Sequence, residues 1–315
     1  MNSMLQMPGW WERFWFRSGS ARNLAAARIV FALQALWVLL SRDFAAISGL
    51  PLEYWSGVPA RGQWRFLLFP GHPGTEQLLQ GVAVAALVAA AIGVVPRAAC
   101  LLAGLLLYHL APLETIIWTH SAYTRGLTLS VLGLFVLGLA PCGDAWSLSA
   151  RRRPRSREAW EYHWPQVLLQ LLVAQVYFFA AWAKVVHVGS AWLSGEIIRQ
   201  WLLVLSLDNQ VAVFSTIGRW IVARPAVCQV IALGTIVFEM SFVLAVFWKR
   251  ARVVLVSLAL LFHIGVIFAM NIFWLNLPQL LVFVDWDGFA RRLRRGPSHS
   301  PAADSVGLSA SSEPL

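Results

Sequence analysis

Lysine is almost missing from this sequence: Lys184 and Lys249 stand against 23 arginines. Acidic residues are also few, 15 Asp and Glu against 25 Lys and Arg, and cysteine occurs only three times. Cys100, Cys142 and Cys228 are dispersed, two of them inside apolar runs, which excludes a CxxC motif and a disulfide framework. No HExxH or Cys/His ligand spacing is present, so no metal is expected, and a P-loop, a GxSxG elbow and a dinucleotide fingerprint are missing too. The N-terminus has no small-residue cleavage site behind a short apolar core and does not read as a signal peptide.

What the chain has is apolar surface. Hydrophobic residues make up 58% of it, the mean hydropathy is +0.64, and 17 tryptophans suit the two interfaces of a bilayer. The composition implies an all-α, polytopic integral membrane helical bundle. A net charge of +10 does not point to nucleic acid, because the cations cluster beside apolar runs.

Read in order, residues 1–22 form an amphipathic interfacial segment with Trp10, Trp11, Phe14, Trp15 and Phe16 beside Arg13 and Arg17. A transmembrane domain follows over 23–290. Its apolar runs lie near 23–40, 77–95, 98–113, 126–140, 165–184, 226–247 and 253–270. A shorter run at 278–286 brings the expected number of transmembrane helices to about eight. Residues 188–224 read as short surface helices, and 291–315 as a disordered cytoplasmic tail. With the N-terminus inside, the inner segments carry 16 Lys and Arg and the outer ones 8. That asymmetry predicts a multi-pass protein of the inner (plasma) membrane with both termini cytoplasmic and the lipid bilayer as its first partner.

Within the spans the polar residues stand out. Gln170, Ala174, Tyr177, Ala181 and Lys184 fall on one helical face, a seam that should meet protein or a cavity rather than lipid. A chain so rich in Arg would supply Arg wherever a cation suffices, so a lysine here is informative. Lys, unlike Arg, can lose its proton on desolvation and act as a base. The alternative is that Lys184 snorkels to the interface from a helix end. Arg28 and Glu239 are read as a structural ion pair, since each alone would be costly in the membrane. His109 and His263 lie near mid-membrane, either as interior hydrogen-bonded residues or as walls of a binding site.

Several stretches, taken together, resemble the membrane domain shared by vitamin K-dependent gamma-carboxylases and bacterial HTTM proteins. Tyr177-Phe-Phe-Ala-Ala-Trp-Ala-Lys184, then Trp192-Leu-Ser-Gly195, is similar to Tyr-Phe-x-Ala-Gly-x-x-Lys, then Trp-x-x-Gly. Asn23 to Arg28, Trp118 to Gly126, Trp146 to Arg153, and Phe262-His263 with Asn271-Ile-Phe273 resemble further family segments in the same order. Ala181 replaces a Gly of the pattern, and His120 is one position out of step. The resemblance implies Lys184 as the base, His120 as donor or proton relay, and His263 as a second polar group. Tyr177, Trp118 and His109 are then expected at a lipophilic small-molecule substrate, which in the family is a vitamin K-type hydroquinone. Glutamate carboxylation itself is not expected, because no large extracytoplasmic portion follows the membrane domain. A non-enzymatic alternative is a membrane scaffold or accessory protein for a secreted peptide, as in HTTM relatives acting in maturation of a sporulation-delaying toxin.

Overall fold

The computed structural model describes residues 9–51, 72–117, 126–150, 159–207, 212–270 and 272–295, and among these every regular element is helical. The elements are α1 (Gly9–Trp15), α2 (Ala21–Leu40), α3 (Phe44–Ser48), α4 (Pro73–Ile92), α5 (Pro96–Ile117), α6 (Thr128–Leu139) and α7 (His163–Ala183). The second half holds α8 (Ser190–Leu193), α9 (Glu196–Leu207), α10 (Ala212–Val222), α11 (Pro225–Ser241), α12 (Leu244–Phe247), α13 (Lys249–Met270) and α14 (Trp286–Arg295).

Helix α2 stands at the centre. Ser20 caps it by accepting a hydrogen bond from the Arg22 N–H, and Leu24, Phe31, Ala35 and Leu39 along it are fully buried. It packs on α4, α6 and α7, and small residues let the backbones approach closely. A Cβ on Gly133 of α6 would fall 2.1 Å from the Phe31 ring, so no larger residue fits there. The α4–α5 turn needs Gly93, whose φ of 78° is left-handed and whose missing side chain makes room for Ser147.

Six helices are long and apolar enough to cross a bilayer: α2, α4, α5, α7 with its flanking turns, α11 continued through α12, and α13. Of the remaining two apolar runs, one forms α6, which has only 12 residues. The other, around Leu277–Phe283, is a buried 3-10 segment rather than a spanning helix. It returns along α2, from Leu275 and Asn276 beside Gln34 to Asp285 and Asp287 beside Asn23 and Arg22. Those contacts are about 12 residues apart on α2, roughly 18 Å of helix.

Irregular backbone at such depth must have its polar groups met by protein. Gln34 donates to the Gly126 and Leu275 carbonyls, Gln279 donates to Ser130 at 2.9 Å, and Ser130 donates to Gln34. From the other side Gln166 and Gln170 both donate to the Val282 carbonyl. The carbonyls of Leu275, just before the 3-10 passage, and Val282, within it, are thus bonded from two flanks.

The first and last described helices lie at the same end of the bundle. Arg22 pairs with Asp287 at 2.8 Å, the Gly19 N–H donates to the Ala159 carbonyl, and Phe14 of α1 stacks on Phe247 at 5.2 Å. Helix α14 continues through Arg295, five residues past the expected start of the disordered tail. Its first turn is capped by Asp285, which accepts from the Gly288 N–H, and Asp287 pairs with Arg291 one turn on. Residues 296–315 lie outside the described residues.

Asp285 supplies a test of this end. Partial burial pushes its carboxyl up, but bonds from Gly288 and Asn23 and the charges of Arg291 and Lys249 outweigh that and hold it below the ordinary carboxylate range. A depressed pKa contributes stability above the unfolded value, and that contribution is lost as pH falls through the folded value. Asp285→Ala should cost about 1 kcal/mol and speed hydrogen exchange selectively in residues 286–293. Acidification below the usual carboxylate range should speed exchange in the unsubstituted protein more than in the variant, so that the difference between the two narrows.

Candidate functional site

Helix α7 does not stop at Lys184. The chain continues through one π-helical turn, Lys184–Val188, closed where the Gly189 N–H donates back to the Lys184 carbonyl at 3.0 Å. It then enters α8 beside α11, which runs antiparallel to α7. That continuation sets the neighbours of Lys184. Its Nζ donates to both oxygens of Glu239, at 2.6 and 2.7 Å. The glutamate is only 6% exposed and the lysine 19%.

Trp192 lies under the same nitrogen, its ring centroid 5.1 Å away, and is fixed by its indole N–H donating to the Ala232 carbonyl. Gly195 makes this contact reachable. Its φ is +80°, and a Cβ there would lie 2.5 Å from the Gln229 backbone nitrogen. The Trp-x-x-Gly spacing thus has a structural cause: the tryptophan lies on α11, and the glycine lets the backbone press against it.

The expected Arg28–Glu239 pair does not form. Arg28 is fully buried, but its guanidinium donates to the Cys142 carbonyl at 2.7 Å and the Trp146 carbonyl at 2.6 Å. Two carbonyl oxygens exposed by the turn after α6 solvate the cation, so it needs no acid. Glu239 is the partner of Lys184 because α7 and α11 lie side by side, with Tyr177 level with Phe242 and Lys184 level with Glu239. Glu239 is 14 residues beyond Pro225, in the interior of the Pro225–Phe247 span, and it meets Lys184 at the C-terminal end of α7, where the lysine is 19% exposed.

Two turns back along α7, about 10 Å, the Tyr177 hydroxyl lies 3.0 Å from His263 Nε2 of α13, with either group able to donate. Tyr177 stacks on Phe242 at 4.1 Å and meets Phe238 and Trp274 edge-on. His263 stacks on Trp274 at 4.5 Å and lies against Phe262. The result is an aromatic cluster with a Tyr–His pair inside it and a Lys–Glu pair on the same α7 face.

The other candidates are placed differently. His109 belongs to the α4–α5 pair, where its Nε2 is 3.0 Å from a carboxylate oxygen of the buried Glu76. His120 and Trp118 lie outside the described residues. Among the described residues no group of three or more His, Cys, Asp or Glu could hold a metal ion. Sequence reasoning missed Trp274, which sits in a connector without periodicity, and Glu76, whose place just after Pro73 reads as an ordinary acidic helix start. Gln279 was visible as one polar residue in an apolar run.

Chemically the site offers two proton-holding pairs, Lys184–Glu239 and Tyr177–His263, in a mostly apolar setting. If Lys184 and Glu239 depend on each other, Lys184→Met or Glu239→Leu alone should destabilise by roughly 3–5 kcal/mol. The double variant should be much milder, and thermal unfolding in detergent measures the coupling. Additive losses would show that the contact carries no shared energy.

Comparison with known proteins gives one finding of wide coverage: the HTTM domain model matches residues 16–287. No curated protein and no solved structure matches the chain. The match takes in every long helix, the 3-10 return and both residues of the Lys184–Glu239 contact, and so the chain belongs to the HTTM domain family.

Proposed function

We propose that this HTTM membrane protein acts on a quinol-like lipophilic molecule, with the Lys184–Glu239 pair taking the hydroxyl proton. The observation that carries the reading is that contact itself: a lysine in an Arg-rich chain, bonded to a buried glutamate deep in an apolar bundle. With the proton they share resting on Glu239, Lys184 presents a neutral amine as the one vacant basic site. A substrate hydroxyl can deliver its proton to that site. The pair then carries a positive charge that stabilises the oxyanion left behind.

A flat aromatic ring suits an aromatic wall in which Trp274 stacks on His263 and Phe238 tilts against Phe262, and the Tyr177–His263 pair can bond a second ring oxygen. The family resemblance supports Lys184 in the base role and a vitamin K-type hydroquinone as the substrate. The 16-to-8 charge asymmetry supports a plasma-membrane protein with cytoplasmic termini. A second reading is a non-enzymatic scaffold or accessory protein for a secreted peptide. It is favoured by the local pairing of Lys184 with Glu239, Tyr177 with His263 and His109 with Glu76, since pairs of that kind can be purely structural.

Quinol turnover by the purified full chain in lipid, with a naphthohydroquinone as substrate, separates the two readings. Lys184→Arg keeps the charge and the bond to Glu239 but supplies no neutral amine. Turnover should fall by roughly a hundredfold or more while the thermal unfolding temperature stays close to that of the unsubstituted protein. Full turnover in that variant removes Lys184 from the chemistry. Binding and turnover undetectable even in the unsubstituted protein favour the scaffold.

Topology has its own check, made simple because Cys100, Cys142 and Cys228 are all buried. A cysteine at Ser190 should react with an impermeant maleimide from outside intact cells, and one at Ser156 only after lysis. The reverse pattern would invert the orientation.

A further inference from the structure

The end of the bundle that holds the first and last described helices, α1 and α14, carries exposed aromatic and basic residues that the proton-holding pairs do not use. On α1 and just beyond it, Trp10 and Phe16 are 61% and 46% exposed beside the exposed Arg13 and Arg17. On α14, Phe289 and Leu293 are 53% and 70% exposed, one turn apart, beside the exposed Arg291 and Arg292. Between them the turn into α13 offers exposed Phe247 and Trp248 next to exposed Lys249 and Arg250. These pieces form one surface: Phe14 of α1 stacks on Phe247, Arg22 at the start of α2 pairs with Asp287 of α14, and Lys249 lies close enough to act on the Asp285 carboxyl.

We infer that this end is a docking collar for the phosphate groups of anionic phospholipids. Alternating exposed aromatics and cations is the chemistry of a bilayer interface, where rings sit among headgroups and arginine bonds phosphate in a forked geometry. Charge complementarity selects the acidic lipids. Aromatic burial alone would accept zwitterionic headgroups equally well. Arg291 of this end pairs with Asp287 at 3.3 Å much as Arg199 of the other pairs with Glu196 at 3.5 Å, and the asymmetry is one of number: six exposed described cations on these pieces (Arg13, Arg17, Lys249, Arg250, Arg291, Arg292) against three there (Arg199, Arg219, Arg224). The collar is thus one-sided. It fixes which leaflet this end occupies and anchors α14, and it does not depend on the chemistry assigned to Lys184.

The test uses full-length protein released from nanodiscs of phosphatidylcholine and phosphatidylglycerol in equal parts, with retained lipids counted by native mass spectrometry. The unsubstituted protein should retain phosphatidylglycerol in several-fold excess, since each cation at an anionic surface contributes on the order of five-fold. Combined Arg13→Gln, Arg17→Gln, Arg291→Gln and Arg292→Gln should remove most of the excess, the remainder being held by Lys249 and Arg250. Lysine at the same four positions should keep the excess. An equal ratio in the unsubstituted protein, or an excess left undiminished by the four glutamines, overturns the proposal. Should the fourfold variant fail to fold, the α1 pair and the α14 pair are read separately: a partial loss in each supports the collar, and no loss in either overturns it.

Discussion

A lysine and a glutamate 2.6 Å apart inside an apolar bundle tie α7 to α11, and the neighbouring geometry follows from that contact. An ammonium or a carboxylate left alone there would cost several kcal/mol, so the two helices must lie in register. That register puts Tyr177 on Phe242 and Trp192 on Ala232. Gly195 is required because α11 passes too close for any side chain. The aromatic cluster then falls on the same face, where α13 adds His263.

The same rule, that polar groups at depth are satisfied by protein, explains the central half of the molecule. Arg28 is met by two carbonyls, the Leu275 carbonyl before the 3-10 segment by Gln34 of α2, and the Val282 carbonyl within it by Gln166 and Gln170 of α7. These side chains replace the hydrogen bonds a spanning helix would have made for itself. The chain can therefore return to its starting end without another long helix, and Arg22 can meet Asp287. One end of the bundle thereby gathers the first and last described helices and most of the exposed described cations.

A functional consequence follows from where the two proton-holding pairs sit. Both lie on α7, and both are bonded to side chains from the second half of the chain, Glu239 from α11 and His263 from α13. Small changes in the packing of α11 or α13 would alter the pairs directly. The α2–α6 half, rich in small residues in close contact, offers a rigid wall for the rest.

The helical membrane class, the positions of the long spans within a few residues, the short helices of 188–224 and the family were all legible in the sequence. Apolar runs of bilayer length leave the backbone no other economical state, and the Tyr177-to-Lys184 and Trp192-to-Gly195 stretches are local patterns. Tyr177 and Lys184 share a face because they are two turns apart on one helix, which spacing alone decides. Which acid meets which base was not legible. Glu239 is 55 residues from Lys184 and 211 from Arg28, and separation along the chain says nothing about helix adjacency. The choice was made by the π turn that carries α7 past Lys184 and by the carbonyls that free Arg28 from needing a carboxylate. The last passage was hidden for the same reason: a buried 3-10 segment has no periodic signature, and its stability comes from glutamines supplied by distant helices.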